Sequence, residues 1–499
     1  MVDIEKKSSS SFSDHAQIAE NNTLAPSTLR ARIAYKLKAY GVEAHGVSPV
    51  KVEQQTYTNF INLFFLWLSA NTCLISVSTG TLGPIFFGLG LRDSALVILF
   101  MNAACCVIPA YFSTFGPITG LRQMIFARYS LGYIGAVIIS CVNIVVFMGF
   151  LILNCILGGQ SLASASNGNL SWNVGIVIIA LISLLLTFSG YKVLNIYERY
   201  AWIPVTIVFI ITVGIGGKHI KNVPPPAPAT ASQVLTFASA IAGFILSWGT
   251  LAADYTIYMP PTVPKAKIFT YAYLGFFLPL VLLEILGASL AVASNANQEW
   301  ALGYQRNNLG GLFAAVLKPA GRFGKFCMVV LAMSVPAACA PTMYSFGISF
   351  QCVAPWFAKL PRYVFSVIST AILIPLAIVG AKHFDSALLH FLEIIAYYCS
   401  PFSAVLLVEH IAFRSSSGER YDRTLWNDFH ALPLGLAGLG SIILSFGLII
   451  PSMDQIWYVG PIAKTGAGDI GFELGFFGAA LFYSILRPIE RLLTPRKGD

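Results

Sequence analysis

Twelve stretches of apolar residues, separated by short polar loops, dominate this sequence after its first 58 residues. A helix of about 20 apolar residues crosses the ~30 Å hydrocarbon core of a bilayer, and most of the stretches reach that length. The sequence therefore predicts an all-α polytopic membrane protein with twelve transmembrane helices. The predicted spans are 62–87, 94–113, 133–157, 174–188, 200–217, 234–258, 269–293, 326–351, 363–379, 388–413, 432–450 and 471–486.

The composition agrees with this pattern. Of the 499 residues, 56% are hydrophobic and 11% are charged, and the mean hydropathy is +0.72. Soluble proteins carry about 25% charged residues, so a soluble globular fold is excluded. The net charge of +9 comes from basic residues between apolar spans rather than from an aromatic-interleaved basic patch. We therefore expect a lipid bilayer as partner and no nucleic acid.

The distribution of lysine and arginine predicts the orientation in the membrane. A polar tail, residues 1–58, contains a basic run at 30–38 and no cleavable signal peptide. Lysines and arginines concentrate in this tail, in every second loop and in the tail at 488–499. Because such residues favour the cytoplasmic side, we expect both termini in the cytoplasm and a cell-membrane location.

Two predicted external loops carry recognisable sequence features. The loop at 218–232 contains four prolines and is expected to be extended in polyproline geometry. The triplet Asn169-Leu170-Ser171 is a glycosylation sequon, so Asn169 is a candidate for modification.

The sixth span contains Trp248 and Gly249 in its second half, between two hydroxyl side chains. A single glycine in a membrane helix often only allows close packing with a neighbour. The alternative is a helix that breaks at Gly249 and turns free backbone groups and the Trp248 ring towards a substrate, as in secondary transporters.

The first span has a similar density of helix-breaking residues. Gly80 and Gly83 follow Ser76 within a few residues, and this is costly in a bilayer unless the freed backbone lines a cavity. We expect a break at Gly80 and Gly83. The two interrupted spans are five spans apart, as expected for inverted repeats.

A transporter domain at 59–487 would then follow the tail. Its predicted parts are a first repeat at about 59–217, a second at about 234–413, and two additional C-terminal helices at about 432–487.

The third span places Phe150 and Asn154 four residues apart, and therefore on one face of a helix. A ring beside an amide suits a planar heterocycle, which would stack on the ring while the amide binds its polar edge. The alternative is a packing phenylalanine and an interhelical hydrogen bond from the asparagine.

The eighth span contains Pro336 and Pro341, which disturb the hydrogen bonds of a helix. The hydroxyl of Thr342 could bind a substrate or cation, or could bond to the freed backbone instead.

Two acidic residues deep in apolar spans, Glu284 and Glu393, are candidates for proton coupling. A neutral, hydrogen-bonded structural role is the alternative for each. Asp254 and Glu409 lie towards helix ends, where we expect solvent contact to lower the cost of their charge. No nucleotide-binding loop, hydrolase motif or metal-type cysteine spacing is present, so we expect neither an enzyme nor a cofactor or metal.

Several longer motifs resemble those of the fungal purine–cytosine permeases, within the nucleobase–cation symporter family. The resemblance covers nearly everything after the tail and implies a LeuT-like fold of two inverted five-helix repeats plus two helices. It also implies proton- or cation-coupled uptake at the plasma membrane. The motifs are SANT from Ser69, GxLGP from Gly80, FGPITGLRQMIFARYSLG from Phe115, WGTLAADYTIYMP from Trp248, EHIAFR from Glu409 and YVGPIAKTGAGDIGFELG from Tyr458.

By this resemblance, the substrate site would include Ser76, Asn154, Trp248 and part of the eighth span. Trp248 would correspond to an aromatic residue that stacks on the base.

The sequence departs from the family pattern at four of the corresponding positions. Phe150 stands where relatives have tryptophan, and Ala338, Cys339 and Thr342 stand where they have asparagines. A site that lacks an expected hydrogen-bonding group discriminates differently among ligands, so these changes bear on the substrate.

The leading hypothesis is proton-coupled import of a small planar heterocycle, a purine or cytosine. Import of a vitamin B6-type pyridine or of a specialised purine-like metabolite is the alternative within this class. A channel and a non-transporting receptor are the alternatives from other classes. The sequence makes no prediction of oligomeric state.

Overall fold

A computed structural model describes residues 46–188, 190–220, 227–414 and 421–498. Most of the predicted N-terminal tail, with its basic run at 30–38, lies outside these residues. So do the prolines at 224–226 of the predicted external loop.

The described chain is almost entirely helical, and short 3₁₀ turns connect many of the helices. The helices of the first half are α1 (Ile61–Asn71), α2 (Leu74–Phe87), α3 (Leu91–Cys105), α4 (Val107–Phe112), α5 (Phe115–Thr119), α6 (Gln123–Phe126), α7 (Arg128–Ala165), α8 (Trp172–Phe188) and α9 (Gly190–Ile220). Those of the second half are α10 (Ala231–Ser247), α11 (Lys265–Ser294), α12 (Gln298–Leu317), α13 (Gly321–Ala332), α14 (Val335–Val353), α15 (Arg362–Gly380), α16 (Phe384–Val408), α17 (Leu436–Ser452) and α18 (Gly471–Leu493). A π-helical turn, Glu409–Arg414, follows α16, and a two-stranded antiparallel hairpin, β1 (Asp454–Gln455) and β2 (Tyr458–Val459), precedes α18.

The prediction of a helical, polytopic chain is confirmed. By length and apolar composition, eight helical stretches of the described residues could cross a membrane, or nine if the bent pair α1–α2 is one span. The helices α8 and α17 are apolar but shorter. Each predicted span overlaps at least one helix. The number of twelve membrane crossings stays a prediction.

The helices form two groups that face each other. In one group, α2 packs against α11 and α10 packs against α16. In the other group, α7 packs against both α8 and α14. The C-terminal helices α17 and α18 pack on each other, and α18 also packs on α16. Phe244 near the end of α10 contacts Phe150 on α7, so these two helices meet between the groups.

The first span is broken, but the predicted position of the break is wrong. The break lies between α1 and α2, at Thr72 and Cys73, where the helix axes meet at 54°. Gly80 and Gly83 lie inside α2. A Cβ on Gly80 would lie 1.9 Å from the carbonyl oxygen of Glu284. This glycine therefore serves the close approach of α2 to α11.

The sixth span leaves α-helical geometry where Trp248 and Gly249 stand. Helix α10 ends at Ser247, and 3₁₀ turns cover Trp248–Thr250 and Ala252–Tyr255. A Cβ on Gly249 would be 3.5 Å or more from its nearest neighbour, the ring of Phe112, which is ordinary contact. Close packing therefore does not explain this glycine.

The eighth span is divided between α13 and α14, with Met333 and Ser334 between them. Pro336 occupies the first turn of α14, where a missing N–H is tolerated. Pro341 lies inside α14, which continues past it.

The contact at Gly80 predicts a large effect from a single methyl group. In Gly80→Ala, the new Cβ meets the backbone of α11, so we expect overpacking to cost about 1–3 kcal/mol. The thermal unfolding midpoint of the purified protein in detergent should fall by several degrees. Gly447→Ala is the matched control, because nothing lies within 4 Å of that Cβ. Equal midpoints for the two variants would contradict the packing role of Gly80.

Candidate functional site

A cavity lies between the two helix groups, beside the breaks in the first and sixth spans. Its walls come from α2, α7, α10, the turns after α10, and α14. The lining residues are Ile75, Phe147, Phe150, Asn154, Phe244, Ser247, Trp248, Leu251, Ala338 and Thr342. Most of these side chains are apolar, so the cavity suits a small ligand with an apolar face and few polar groups.

Aromatic rings form much of the wall and hold each other in place. The Phe150 ring packs edge-to-face against Phe244 at 5.8 Å and against Phe391 at 5.0 Å. The Trp248 ring packs edge-to-face against Trp67 at 5.4 Å. Such contacts are favourable between ring quadrupoles, and they restrict the orientations that Phe150 and Trp248 can adopt.

Asn154 provides the one carboxamide among the lining residues. Its Nδ2 donates a hydrogen bond to the carbonyl oxygen of Phe150 at 2.9 Å. Its Oδ1 is buried and has no hydrogen-bond partner among the described residues. A buried acceptor without a partner costs free energy, so this oxygen is available to an N–H or O–H donor of a ligand.

Both hydroxyl groups in the cavity lining donate a hydrogen bond to a backbone carbonyl oxygen. The hydroxyl of Thr342 donates to the carbonyl oxygen of Ala338 at 2.9 Å, and that of Ser247 donates to Phe244 at 2.7 Å. Each retains acceptor capacity. Together with Asn154, the hydroxyls make the polar part of the wall rich in hydrogen-bond acceptors, which matches a ligand that carries N–H groups.

Four of the five predicted binding residues surround this cavity, namely Phe150, Asn154, Trp248 and Thr342. Ser76 is close by but does not line it. Its buried hydroxyl donates to the carbonyl oxygen of Asn71 at 2.7 Å and so bridges the break between α1 and α2. The neighbouring residue, Ile75, reaches the cavity instead.

Phe147 and Phe244 line the cavity but were not predicted to do so, although their helical spacing indicates it. Phe147 is three residues before Phe150, and Phe244 is four residues before Trp248, so each shares a helix face with a predicted residue. Ala338, noted only as a departure from the family pattern, is part of the wall, whereas Cys339 is buried outside it.

The two proton-coupling candidates lie away from the cavity. Glu284 on α11 accepts a hydrogen bond from Asn102 at 2.6 Å. Glu393 on α16 accepts one from Gln455 at 2.8 Å and lies 3.5 Å from His390. Both carboxylates are buried and have polar partners.

The expectation of solvent contact for Asp254 and Glu409 is wrong. Asp254 is 3% exposed, and its carboxylate accepts hydrogen bonds from the Gln123 backbone and from Ser345, both at 2.8 Å. Glu409 is fully buried between Arg414 and Arg487. Each carboxylate sits among donors from other parts of the chain, and these donors replace the solvent that sequence position alone suggested.

The predicted sequon lies in the turn between α7 and α8. The Asn169 side chain is exposed there. The acceptor site of the sequon is therefore accessible.

Comparison with known proteins relates the chain to transporters. The family model "permease for cytosine/purines, uracil, thiamine, allantoin" matches residues 49–425. The purine-cytosine permease fcyB of Emericella nidulans is 38% identical over 96% of this chain and 94% of its own length. The vitamin B6 transporter TPN1 of Saccharomyces cerevisiae is 29% identical over 96% of this chain and 93% of its own.

The fold has a counterpart among solved structures. Mhp1, a nucleobase-cation-symport-1 family transporter, was solved in a closed conformation with bromovinylhydantoin bound. It matches with a TM-score of 0.69 at 13% identity, and the match covers 90% of this chain and 96% of that chain.

Proposed function

This chain belongs to the cytosine and purine permease family, and on that premise we propose that it imports a purine or cytosine-type nucleobase across the plasma membrane together with a proton. Family membership makes it a multi-pass membrane transporter and not an enzyme. Our proposal concerns the identity of the substrate, the coupling ion and the direction of transport.

The chemistry of the cavity lining is the observation that supports this proposal. A nucleobase is planar and apolar on its faces, and it bears N–H groups at its edge. Phe150 and Trp248 offer rings for the faces, and the free oxygen of Asn154 offers an acceptor for the edge. Thr342 and Ser247 extend the acceptor wall.

The proposed architecture is a LeuT-like arrangement of twelve membrane helices, in two inverted five-helix repeats with two additional C-terminal helices. The interruption between α1 and α2 and the one after α10 support it, because they fall in the first spans of the two repeats. The likeness to the fold of Mhp1 supports it further. Both termini would lie in the cytoplasm.

Proton coupling is supported by the carboxylates that are buried among the apolar helices. A carboxylate that gains and loses a proton can couple substrate movement to the proton gradient. Glu284 and Glu393 remain candidates for this role.

A vitamin B6-type pyridine is the second candidate substrate. Ala338 leaves that part of the wall without a polar side chain, which reduces the groups available to read a base. The related vitamin B6 transporter makes this class the next to test.

Uptake of labelled compounds tests the proposal directly. Cells that lack their own carriers and express this protein should accumulate cytosine, adenine or hypoxanthine above the external concentration. A protonophore should abolish the accumulation. Saturable uptake of pyridoxine alone would favour the second candidate, and rapid, non-saturable flux would indicate a channel. Protein at the surface that transports none of these compounds would refute the proposed substrates.

Removal of the free acceptor should weaken ligand binding. In Asn154→Ala we expect the loss of one buried hydrogen bond to cost about 1.5–3 kcal/mol, which is roughly a tenfold to hundredfold rise in Kd for the base. Asn143→Ala is the matched control, because that amide lies on the same helix, bonds to Ser349 and does not line the cavity. Unchanged affinity in Asn154→Ala, measured by scintillation proximity, would exclude this role.

Restoring an amide at the position of Ala338 should strengthen base binding if the substrate is a nucleobase. Ala338→Asn places a donor and an acceptor on the part of the cavity wall that α14 forms, so we expect affinity for cytosine or adenine to rise about tenfold. Cys339→Asn serves as control, because Cys339 does not line the cavity. Weaker base binding in Ala338→Asn would indicate a ligand that needs an apolar contact there.

A further inference from the structure

One buried carboxylate in the described part of the chain has no hydrogen-bond partner. Glu198 lies on α9 and is 1% exposed, and neither of its carboxylate oxygens makes a hydrogen bond to a described residue. It escaped prediction because the corresponding apolar span begins at Tyr200. A buried and unpaired charge is costly, so a carboxylate in this position requires a ligand that neutralises it.

The group that faces Glu198 belongs to the broken first span. The side chain of Ser69 on α1 is directed towards the carboxylate, although the two do not reach ordinary hydrogen-bond geometry. The hydroxyl of Ser69 is itself buried without a hydrogen-bond partner among the described residues. Ser69 is three residues before Thr72, at which α1 gives way to α2.

The same turn of α9 also touches the broken eighth span. The phenol of Tyr197, next to Glu198, donates to the carbonyl oxygen of Met333 at 3.3 Å. Met333 lies between α13 and α14. This turn of α9 therefore joins two helix breaks, and the helices that follow them, α2 and α14, both line the cavity.

The surroundings favour a proton over a metal cation as the ligand. Glu198 takes part in no ion pair with a Lys, Arg or His among the described residues. Its neighbours along the chain are the titratable Tyr197 and the exposed Arg199. A hard metal cation in proteins gathers about six oxygen ligands, and the polar side chain that acts on this carboxylate is the Ser69 hydroxyl. One proton on Glu198 removes the charge and needs no further ligand.

We propose that Glu198 carries the co-transported proton and links it to the docking of α1 against α9. This inference rests on the proposed symport and assigns the coupling to a residue outside the cavity. The protonated carboxyl is neutral and stays buried against Ser69. When the proton leaves to the other side of the membrane, the carboxylate regains its charge and requires water, which favours separation of α1 from α9. The proton enters and leaves the same oxygen atom, so no other reactant is needed.

Glu284 and Glu393 are less suited to this role. The carboxylate of Glu284 accepts a hydrogen bond from the Asn102 amide. That of Glu393 accepts one from the Gln455 amide and lies beside His390. These partners stabilise each carboxylate in the observed arrangement. Glu284 lies on α11, which packs on α1, but its carboxylate is hydrogen-bonded to Asn102 on α3.

Reconstituted protein tests the proposal with four matched substitutions. In proteoliposomes with an imposed proton gradient, Glu198→Gln should lose at least about 90% of the accumulation of the labelled base and of the base-dependent proton influx. It should retain binding and exchange of labelled for unlabelled base, because these need no net proton movement. Glu284→Gln and Glu393→Gln should keep the proton influx, and Glu198→Asp should keep a measurable part of it.

A second variant keeps the proposal testable if Glu198→Gln does not fold. Ser69→Ala removes the hydroxyl that can stabilise the charged carboxylate, so a proton should be held more tightly. The pH at which uptake falls to half should then move upward. An unchanged pH profile in Ser69→Ala would overturn the proposal in that case.

The remaining outcomes separate this inference from the proposed function. Glu198→Gln that accumulates base with a normal proton influx would overturn the inference alone. Accumulation driven by a sodium gradient instead of a proton gradient would overturn it as well. Wild-type protein that binds and transports neither a nucleobase nor pyridoxine would refute the proposed function, on which the inference rests.

Discussion

Backbone groups that lose their helical hydrogen bonds inside a bilayer must find other partners, and this constraint organises the centre of the molecule. At the first break, the hydroxyl of Ser76 donates to the carbonyl oxygen of Asn71. At the eighth-span break, Ser334 donates to Leu331 in the same way. Side-chain hydroxyls thus stabilise the irregular backbone beside the cavity. The helix breaks are therefore stable at positions beside the cavity, between the two helix groups, where a ligand can bind.

The helices around the breaks are held by close backbone contact and by buried polar clusters. Gly80 allows α2 to approach the backbone of α11 within a distance that no side chain permits. The carboxylate of Asp254, after α10, is held by Gln123 from the loop before α7 and by Ser345 on α14. This cluster links both helix groups outside the cavity lining. A change of conformation that opens the cavity on that side must break these bonds or carry them along.

The site combines a rigid aromatic wall with very few polar groups. Because Asn154 offers the free acceptor oxygen, binding selectivity depends on a small number of hydrogen bonds, and single substitutions should alter it strongly. The proposed coupling residue, Glu198, lies outside the wall. It can influence the cavity through α1 and the break at Thr72 without contacting the ligand.

The sequence by itself determined the features that depend on local pattern. Apolar length predicted the membrane helices, and four-residue spacing placed Asn154 on the face of Phe150. The residues around Trp248 allowed either close packing or an interrupted helix, and the structure shows the interruption. Tertiary structure decided the rest. Gly80 serves close packing rather than a break, because a glycine allows either and only the neighbouring backbone of α11 distinguishes them. Glu198 faces Ser69 only because helices distant in sequence pack together, and no local pattern encodes that contact.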